Sequence, residues 1–190
     1  MRPRFREDKA TQAAAILIES SGGKINYMIL LKLLYLADRT ALVELGQPIT
    51  FDSYVSMSKG PVLSTTYDLI RKRVGLGEGQ WWQKHISAPS GYVVSLAESP
   101  GTDNLSDAEF DILHRIHEQY GHISSEWELV NLRHCILPEW KDPKGSSIPI
   151  EYEDILRVEG KNEAEVEAIR DELDLMAYVD ERLSQGTVQG

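Results

Sequence analysis

The chain has 190 residues, 42% hydrophobic and 26% charged, the size and composition of one ordinary domain with a real core, or of one domain with an extension. Its single cysteine, Cys135, excludes an internal disulfide. No N-terminal signal pattern is present, and the longest nearly continuous apolar run, Tyr27 to Leu36, is broken by Lys32; these features predict a cytoplasmic protein that does not span a membrane. With 30 acidic against 20 basic side chains the net charge is -10, which disfavours nucleic acid as a partner and suits a basic protein better.

Taken in order, Arg2, Arg4, Arg6 and Lys9 form a small basic cluster, read as a frayed, solvated start. A first helix is predicted from Asp8 to Ser20, with Ala13, Ala14, Leu17 and Ile18 as its stripe and Gly22-Gly23 as its stop. A second runs from Asn26 to Leu45 and ends at Gly46. It is apolar round most of its circumference, as a central, surrounded helix is, and places Lys32, Tyr35 and Arg39 along one narrow polar stripe. Asp38 falls on the apolar side, so it requires a hydrogen-bonding or ionic partner if buried.

Phe51 to Met57 is a short extended candidate. Gly60-Pro61 is expected to open a third helix reaching Arg73 or Val74, with Val62, Thr66, Leu69 and Ile70 facing inward. Gly75, Gly77 and Gly79 break the chain. Trp81 to Ser87 and Gly91 to Leu96 read as a hairpin round Ala88-Pro89-Ser90. Ser106-Asp107-Ala108-Glu109 and Ser125-Glu126-Trp127-Glu128 are capping boxes that start two more helices. The first of these turns Phe110, Leu113, Ile116 and Tyr120 inward; the second carries Leu129, Leu132 and Ile136 and stops by Pro138. Pro149 to Val158 and Asn162 to Leu183 complete the helices, the last opened by Asn162 with Glu165 three residues on. Residues 151 to 190 hold 12 acidic and 4 basic side chains, so the final fifth carries most of the charge.

The fold class predicted is therefore mainly α: a compact helical domain round a central buried helix, with a small β-hairpin and an acidic C-terminal helix. The core should include Leu33, Leu34, Ala37, Val62, Leu69 and Phe110. Residues 1–160 form the domain and residues 161–190 the acidic helix and tail.

The chain lacks a phosphate-cradling glycine loop, a nucleophile elbow and an HExxH pair. His114, His117, His122, His134 and Cys135 are the nearest approach to a reactive group. Only His114 and His117 have a ligand-like spacing, and they diverge on the helical wheel, so structural or solvated roles are preferred and no metal or cofactor is expected. Arg71, Lys72 and Arg73 offer cations for a phosphate, but they end a predicted helix, where cations complement the dipole, and that reading is preferred. Trp81-Trp82 places one ring inward and one outward.

The segments Leu31-Lys32-Leu33-Leu34-Tyr35-Leu36-Ala37-Asp38-Arg39, Gly46-Gln47-Pro48-Ile49, Tyr54, Lys59-Gly60-Pro61-Val62 and Tyr67 occur in an order and spacing that resembles the Panacea domain of the SocA-like antitoxins. So do His134, Pro138-Glu139-Trp140, and Ile150 with Tyr152, Ile155 and Leu156. The resemblance covers most of residues 10 to 160. It implies a non-enzymatic antitoxin, bacterial or of prophage origin, that neutralises a toxin by direct binding, including small alarmone synthetase-like toxins that act on nucleotides or tRNA. One branch of the family instead delivers the toxin to a protease, making a cellular protease a second partner. No catalytic residues carry over. Lys32 and Tyr35 take a structural reading on a buried helix, and Trp140 fills a corner.

Two further readings compete, a small metal-assisted hydrolase using the histidines and a DNA-binding autorepressor, against which the acidic charge argues. For toxin contact, the C-terminal helix offers Glu165, Asp171, Glu172 and Asp174 round the apolar side formed by Val166, Ile169, Leu173 and Met176. That apolar side equally suits docking on the chain's own domain. The stripe Lys32, Tyr35 and Arg39 is a second candidate if it reaches the surface.

Overall fold

In the computed structural model, residues 2–72, 79–123, 128 and 137–186 are described, and they are mainly helical with two small antiparallel sheets. Helix α1 (Glu7–Ser20) leads through strand β1 (Lys24–Asn26) into α2 (Tyr27–Leu45). Asn26 accepts from the Met28 amide at 2.8 Å and Gly46 closes the helix in the left-handed conformation, φ 76°, so both ends obey local capping rules. Almost every residue of α2 from Tyr27 to Asp38 is buried, and the helix packs on α1, on the later helix α5 (Asp107–Tyr120) and on strand β3 (Gly60–Leu63). Leu33, Leu34, Ala37, Val62 and Leu69 are all at most 3% exposed.

Strand β2 (Tyr54–Met57) is the centre of a three-stranded sheet, ordered β3-β2-β5, with β5 at Ile148–Ile150. This corrects two helix starts. Gly60-Pro61 does not open a helix: Gly60, at φ 105°, turns the chain back, Ser56 faces Pro61, and α3 begins only at Ser64 and ends at Ile70. Pro149 likewise belongs to β5, facing Val55, and helix α6 spans Tyr152–Val158. Both prolines sit on edge strands, where a missing N–H breaks no ladder on the open side.

The predicted hairpin is also corrected. Gln80–His85 is a short helix, α4, and strand β4 (Val93–Ser95) pairs with β1; the bridge Ile86↔Leu96 and the Ser87–Ser95 hydrogen bonds join the two halves as expected, and Ser90↔Val93 closes the turn. The reason lies in α1. Glu7 accepts from the Gly79 amide at 3.2 Å and the Trp82 amide at 2.9 Å, satisfying the start of α4 from a distance and overriding the β propensity of a Trp pair. Trp82 is buried and Trp81 is exposed, as alternation required, but on a helix.

The capping box Ser106–Glu109 opens α5 as predicted. Phe110, however, is 38% exposed and meets the His114 ring at a tilt of 60°, with ring centroids 4.4 Å apart. The inward stripe is Glu109, Ile112, Leu113 and Ile116, rotated from the predicted one because Glu109 is drawn in by Lys9 Nζ at 2.7 Å. The second capping box and its helix, with His134 and Cys135, lie outside the described residues apart from Glu128, as do Arg73, Val74, Gly75 and Gly77. The last helix, α7 (Glu163–Gly186), is opened by Asn162 and Glu165, whose side chains and amides bond reciprocally at 3.1 and 2.8 Å.

Candidate functional site

The polar stripe of α2 turns out to face protein. Lys32 is buried and donates to the carbonyl of Pro61. Tyr35 is fully buried; its hydroxyl donates to Glu139 at 2.7 Å. Arg39 reaches the same carboxylate through Nε at 2.9 Å and Nη2 at 3.2 Å, and Glu159 through Nη2 at 2.6 Å. The Glu139 side chain has no exposure and that of Arg39 has 11%. Burial works against the Arg39 charge, but Glu139, then Glu159, outweighs it and holds the guanidinium above its ordinary value. Burial raises the Tyr35 hydroxyl well above its ordinary range, and Glu139 adds to the shift. The stripe therefore clamps α2 to β3, to the segment before β5 and to the end of α6, and both Lys32 and Tyr35 are buried.

Asp38 is buried on the other side of α2 and is fully partnered, as its position demands. It accepts from the Thr50 amide at 3.0 Å, from the Thr50 hydroxyl at 2.5 Å and from the Tyr54 hydroxyl at 3.2 Å. Burial is the largest influence on its carboxyl and pushes it up to about 7 against those donors. Tyr54 in turn meets Tyr35 edge-on at 5.3 Å and Tyr152 at 4.9 Å, and Tyr152 donates to the Asp52 carbonyl at 2.7 Å. Nearby, Asp52 accepts from the amides of Thr65 and Thr66, each at 2.8 Å, and from the Thr66 hydroxyl at 2.8 Å. It caps α3 from before β2.

Helix α7 has two parts. Val166 and Leu173 are 3% and 5% exposed and join the hydrophobic core, and a side chain at Gly46 would meet Ile169 at 3.7 Å. Docking on the chain's own domain therefore accounts for this stretch. Beyond it Ala177 stays buried at 4%, but the larger apolar side chains are uncovered: Leu175, Met176, Tyr178, Val179 and Leu183 are exposed, Leu175 at 63% and Leu183 at 67%. Glu165, Asp171 and Glu172 face solvent and Asp174 is half-buried. Several acids pair locally, Glu163 with Arg157 at 2.8 Å, and Glu167 and Asp171 with Arg170 at 3.2 and 3.6 Å; exposed pairs of this kind leave the acidic field largely intact.

The remaining candidates have structural partners. The basic N-terminus is tied down rather than frayed: Arg2 pairs with Glu151 and lies 4.2 Å over the Tyr152 ring, Arg6 pairs with Asp8 at 2.7 Å, and Lys9 pairs with Glu109. His117 approaches the Ser21 hydroxyl at 3.4 Å. Among the described residues, no three His, Cys, Asp or Glu side chains come together as a metal would require, and no helix is long and apolar enough to cross a membrane. Arg71 donates to the Tyr27 hydroxyl at 3.2 Å. Trp140 fills the predicted corner and donates to the Met57 carbonyl at 2.9 Å.

Glu139, Glu159 and Asp52 were missed as partners by the sequence reading. A carboxylate between Pro138 and Trp140 was a signal for the first; nothing local marks the other two. The exposed side chains Leu175, Tyr178, Val179 and Leu183 fall outside the stripe Val166 to Met176 that marks the docked side of this helix in the sequence.

No curated protein and no solved structure matches the chain. The family of SocA-like antitoxins with a Panacea domain matches residues 30–141, more than half of the chain, spanning the helix that bears Lys32, Tyr35 and Arg39 and ending just after Glu139. The chain belongs to the SocA-like antitoxins of the Panacea domain family.

Proposed function

We propose that this chain neutralises a cognate toxin by binding it directly, and that the outer half of α7 makes the contact. What carries this reading, beside family membership, is the uncovered apolar ridge Leu175, Val179 and Leu183, with Tyr178 beside it. Large exposed apolar patches on an otherwise charged surface mark interaction sites, and steps of four residues on a helix suit a groove on a partner. The acids Glu165, Asp171, Glu172 and Asp174 supply rim charge. A toxin acting on a nucleotide or a tRNA needs a basic cleft, and an acidic surface speeds encounter with it and competes with its phosphates. Lys32, Tyr35 and Arg39 act on this reading as the frame that ties α2 to β3, to the segment before β5 and to the end of α6.

The test is co-expression with the toxin encoded by the adjoining gene. A chain carrying Leu175→Asp, Val179→Asp and Leu183→Asp should keep its circular dichroism and its melt yet fail to rescue growth. Asp171→Lys with Glu172→Lys should weaken rescue and remove the salt dependence of binding. Full rescue by both folded variants would move the contact to the body of the domain. Rescue that requires a cellular protease, with the toxin disappearing, would replace occlusion by delivery.

A further inference from the structure

A cleft of about 240 Å³ opens between the start of α2, the β2–β3 turn and α3, with Tyr27, Met28, Lys32, Met57, Lys59 and Arg71 among its lining residues. It meets a second hollow of about 340 Å³ across the Tyr27–Arg71 contact, where Lys72 adds another cation. Among the described residues, none that lines either hollow is acidic, although the chain as a whole carries a net charge of -10. Positive charge is thus gathered here against the sign of the molecule.

The cleft also offers flat surfaces. Tyr27 and Tyr92 stack with ring centroids 5.7 Å apart and planes 23° from parallel. The Tyr27 amide donates to the Tyr92 carbonyl at 2.8 Å, so backbone as well as ring holds the pair. Tyr92 is 63% exposed, leaving much of its ring for a further planar group. Arg71 is exposed and donates to the Tyr27 hydroxyl at 3.2 Å. That bond fixes the guanidinium beside the stacked rings while further N–H groups of its planar fork remain for an anion. Lys59 also lines the cleft, exposed at the tip of the β2–β3 turn.

We propose that this cleft binds a free mononucleotide, its base stacked on the Tyr27–Tyr92 pair and its phosphate held between Arg71 and Lys59. Aromatic rings next to cations are what a base joined to a phosphate requires, since every base has a π-face and a guanidinium meets a phosphate bidentately. Charge selects the free nucleotide over a strand, because the acidic remainder of the surface repels a polymer of phosphates.

The experiment is calorimetric titration of the full chain with 5′-AMP, 5′-GMP, 5′-CMP and 5′-UMP in turn, with adenosine, inorganic phosphate and a short oligoribonucleotide as comparisons. At least one mononucleotide should saturate the protein, and adenosine and phosphate alone should each bind at least about ten-fold more weakly, because each offers half of the recognised chemistry. Tyr92→Ala and Arg71→Gln, both at exposed positions, should each weaken binding by roughly ten-fold or more, while Arg170→Gln on α7 should leave it unchanged. Absence of binding by all four nucleotides up to about 5 mM overturns the proposal, as does affinity unaltered in both cleft variants. Binding of the oligoribonucleotide at least as tight as that of any mononucleotide assigns the cleft to a strand and overturns it too. The toxin takes no part in these titrations, so their outcome is independent of how neutralisation works.

Discussion

Asp38 is a carboxylic acid placed where water cannot reach it, and its hydrogen bonds decide how it behaves. Burial pushes the group up to about 7 from an ordinary 3.8, so between those values the folded chain holds a proton that the unfolded chain has released. Its stabilising contribution is then complete below pH 4 and is lost as the pH rises through about 7, at up to about 1.4 kcal/mol per pH unit. Asp38→Asn mimics the protonated acid, because its amide can donate to Thr50 as the acid proton would. The stability of wild type relative to Asp38→Asn should therefore fall between pH 4 and 7.5 in urea melts, and a pH-independent difference would show that Asp38 keeps its ordinary titration. The second residue-scale prediction concerns Glu139. Removing it by Glu139→Ala strands the Tyr35 hydroxyl and leaves a largely buried Arg39 with Glu159 as its remaining carboxylate, which should cost about 3 to 5 kcal/mol. Glu139→Gln retains an acceptor and should cost less, and equal losses in the two denaturant curves would count against the clamp.

At the scale of elements, what could be read from sequence follows how far away each stabilising partner lies. Helices α1, α2, α5 and α7 begin or end within a residue or two of expectation, since Asn26, Gly46, the Ser106–Glu109 box and the Asn162–Glu165 box all act within one turn. The start of α3, the whole of α4 and the strand β5 were not legible. Asp52 caps α3 from across a hairpin, Glu7 caps α4 from a different helix, and Pro149 pairs with a strand nearly a hundred residues earlier. The candidate site divides the same way: the stripe Lys32, Tyr35 and Arg39 is visible in the spacing of one helix, whereas Glu139 and Glu159, which make it a clamp rather than a surface, are remote in sequence. The remote caps are themselves testable. Asp52→Ala leaves the Thr65 and Thr66 amides without their acceptor, and Thr66 is buried. The expected loss is about 1 to 3 kcal/mol, as for an unsatisfied buried donor, with hydrogen exchange quickened at Thr66 ahead of global unfolding. Unchanged protection at Thr66 would mean that water replaces Asp52 without loss.

Over the whole molecule, α7 belongs to the core at one end and to the surface at the other, and the two ends should answer mutation differently. Leu173 is 5% exposed and sits in the same hydrophobic cluster as α2, whereas Leu175, two residues on, is 63% exposed. Truncation of Leu173 to Ala should cost about 2 to 5 kcal/mol, the range for a buried leucine whose cavity closes only partly. The same truncation at Leu175 or Leu183 should change stability by no more than about 0.5 kcal/mol. An apolar ridge that contributes so little to its own fold sits in a run of chain holding 12 of the 30 acidic residues. Folding alone therefore gives no reason for leucine there. Paired urea melts of the free protein decide the point. If Leu175→Ala destabilises as much as Leu173→Ala, the outer half of α7 is packed against the domain in solution and is not free to meet a toxin. If the two separate as expected, the ridge can be altered without disturbing the fold, and any loss of neutralisation in those variants reports on contact alone.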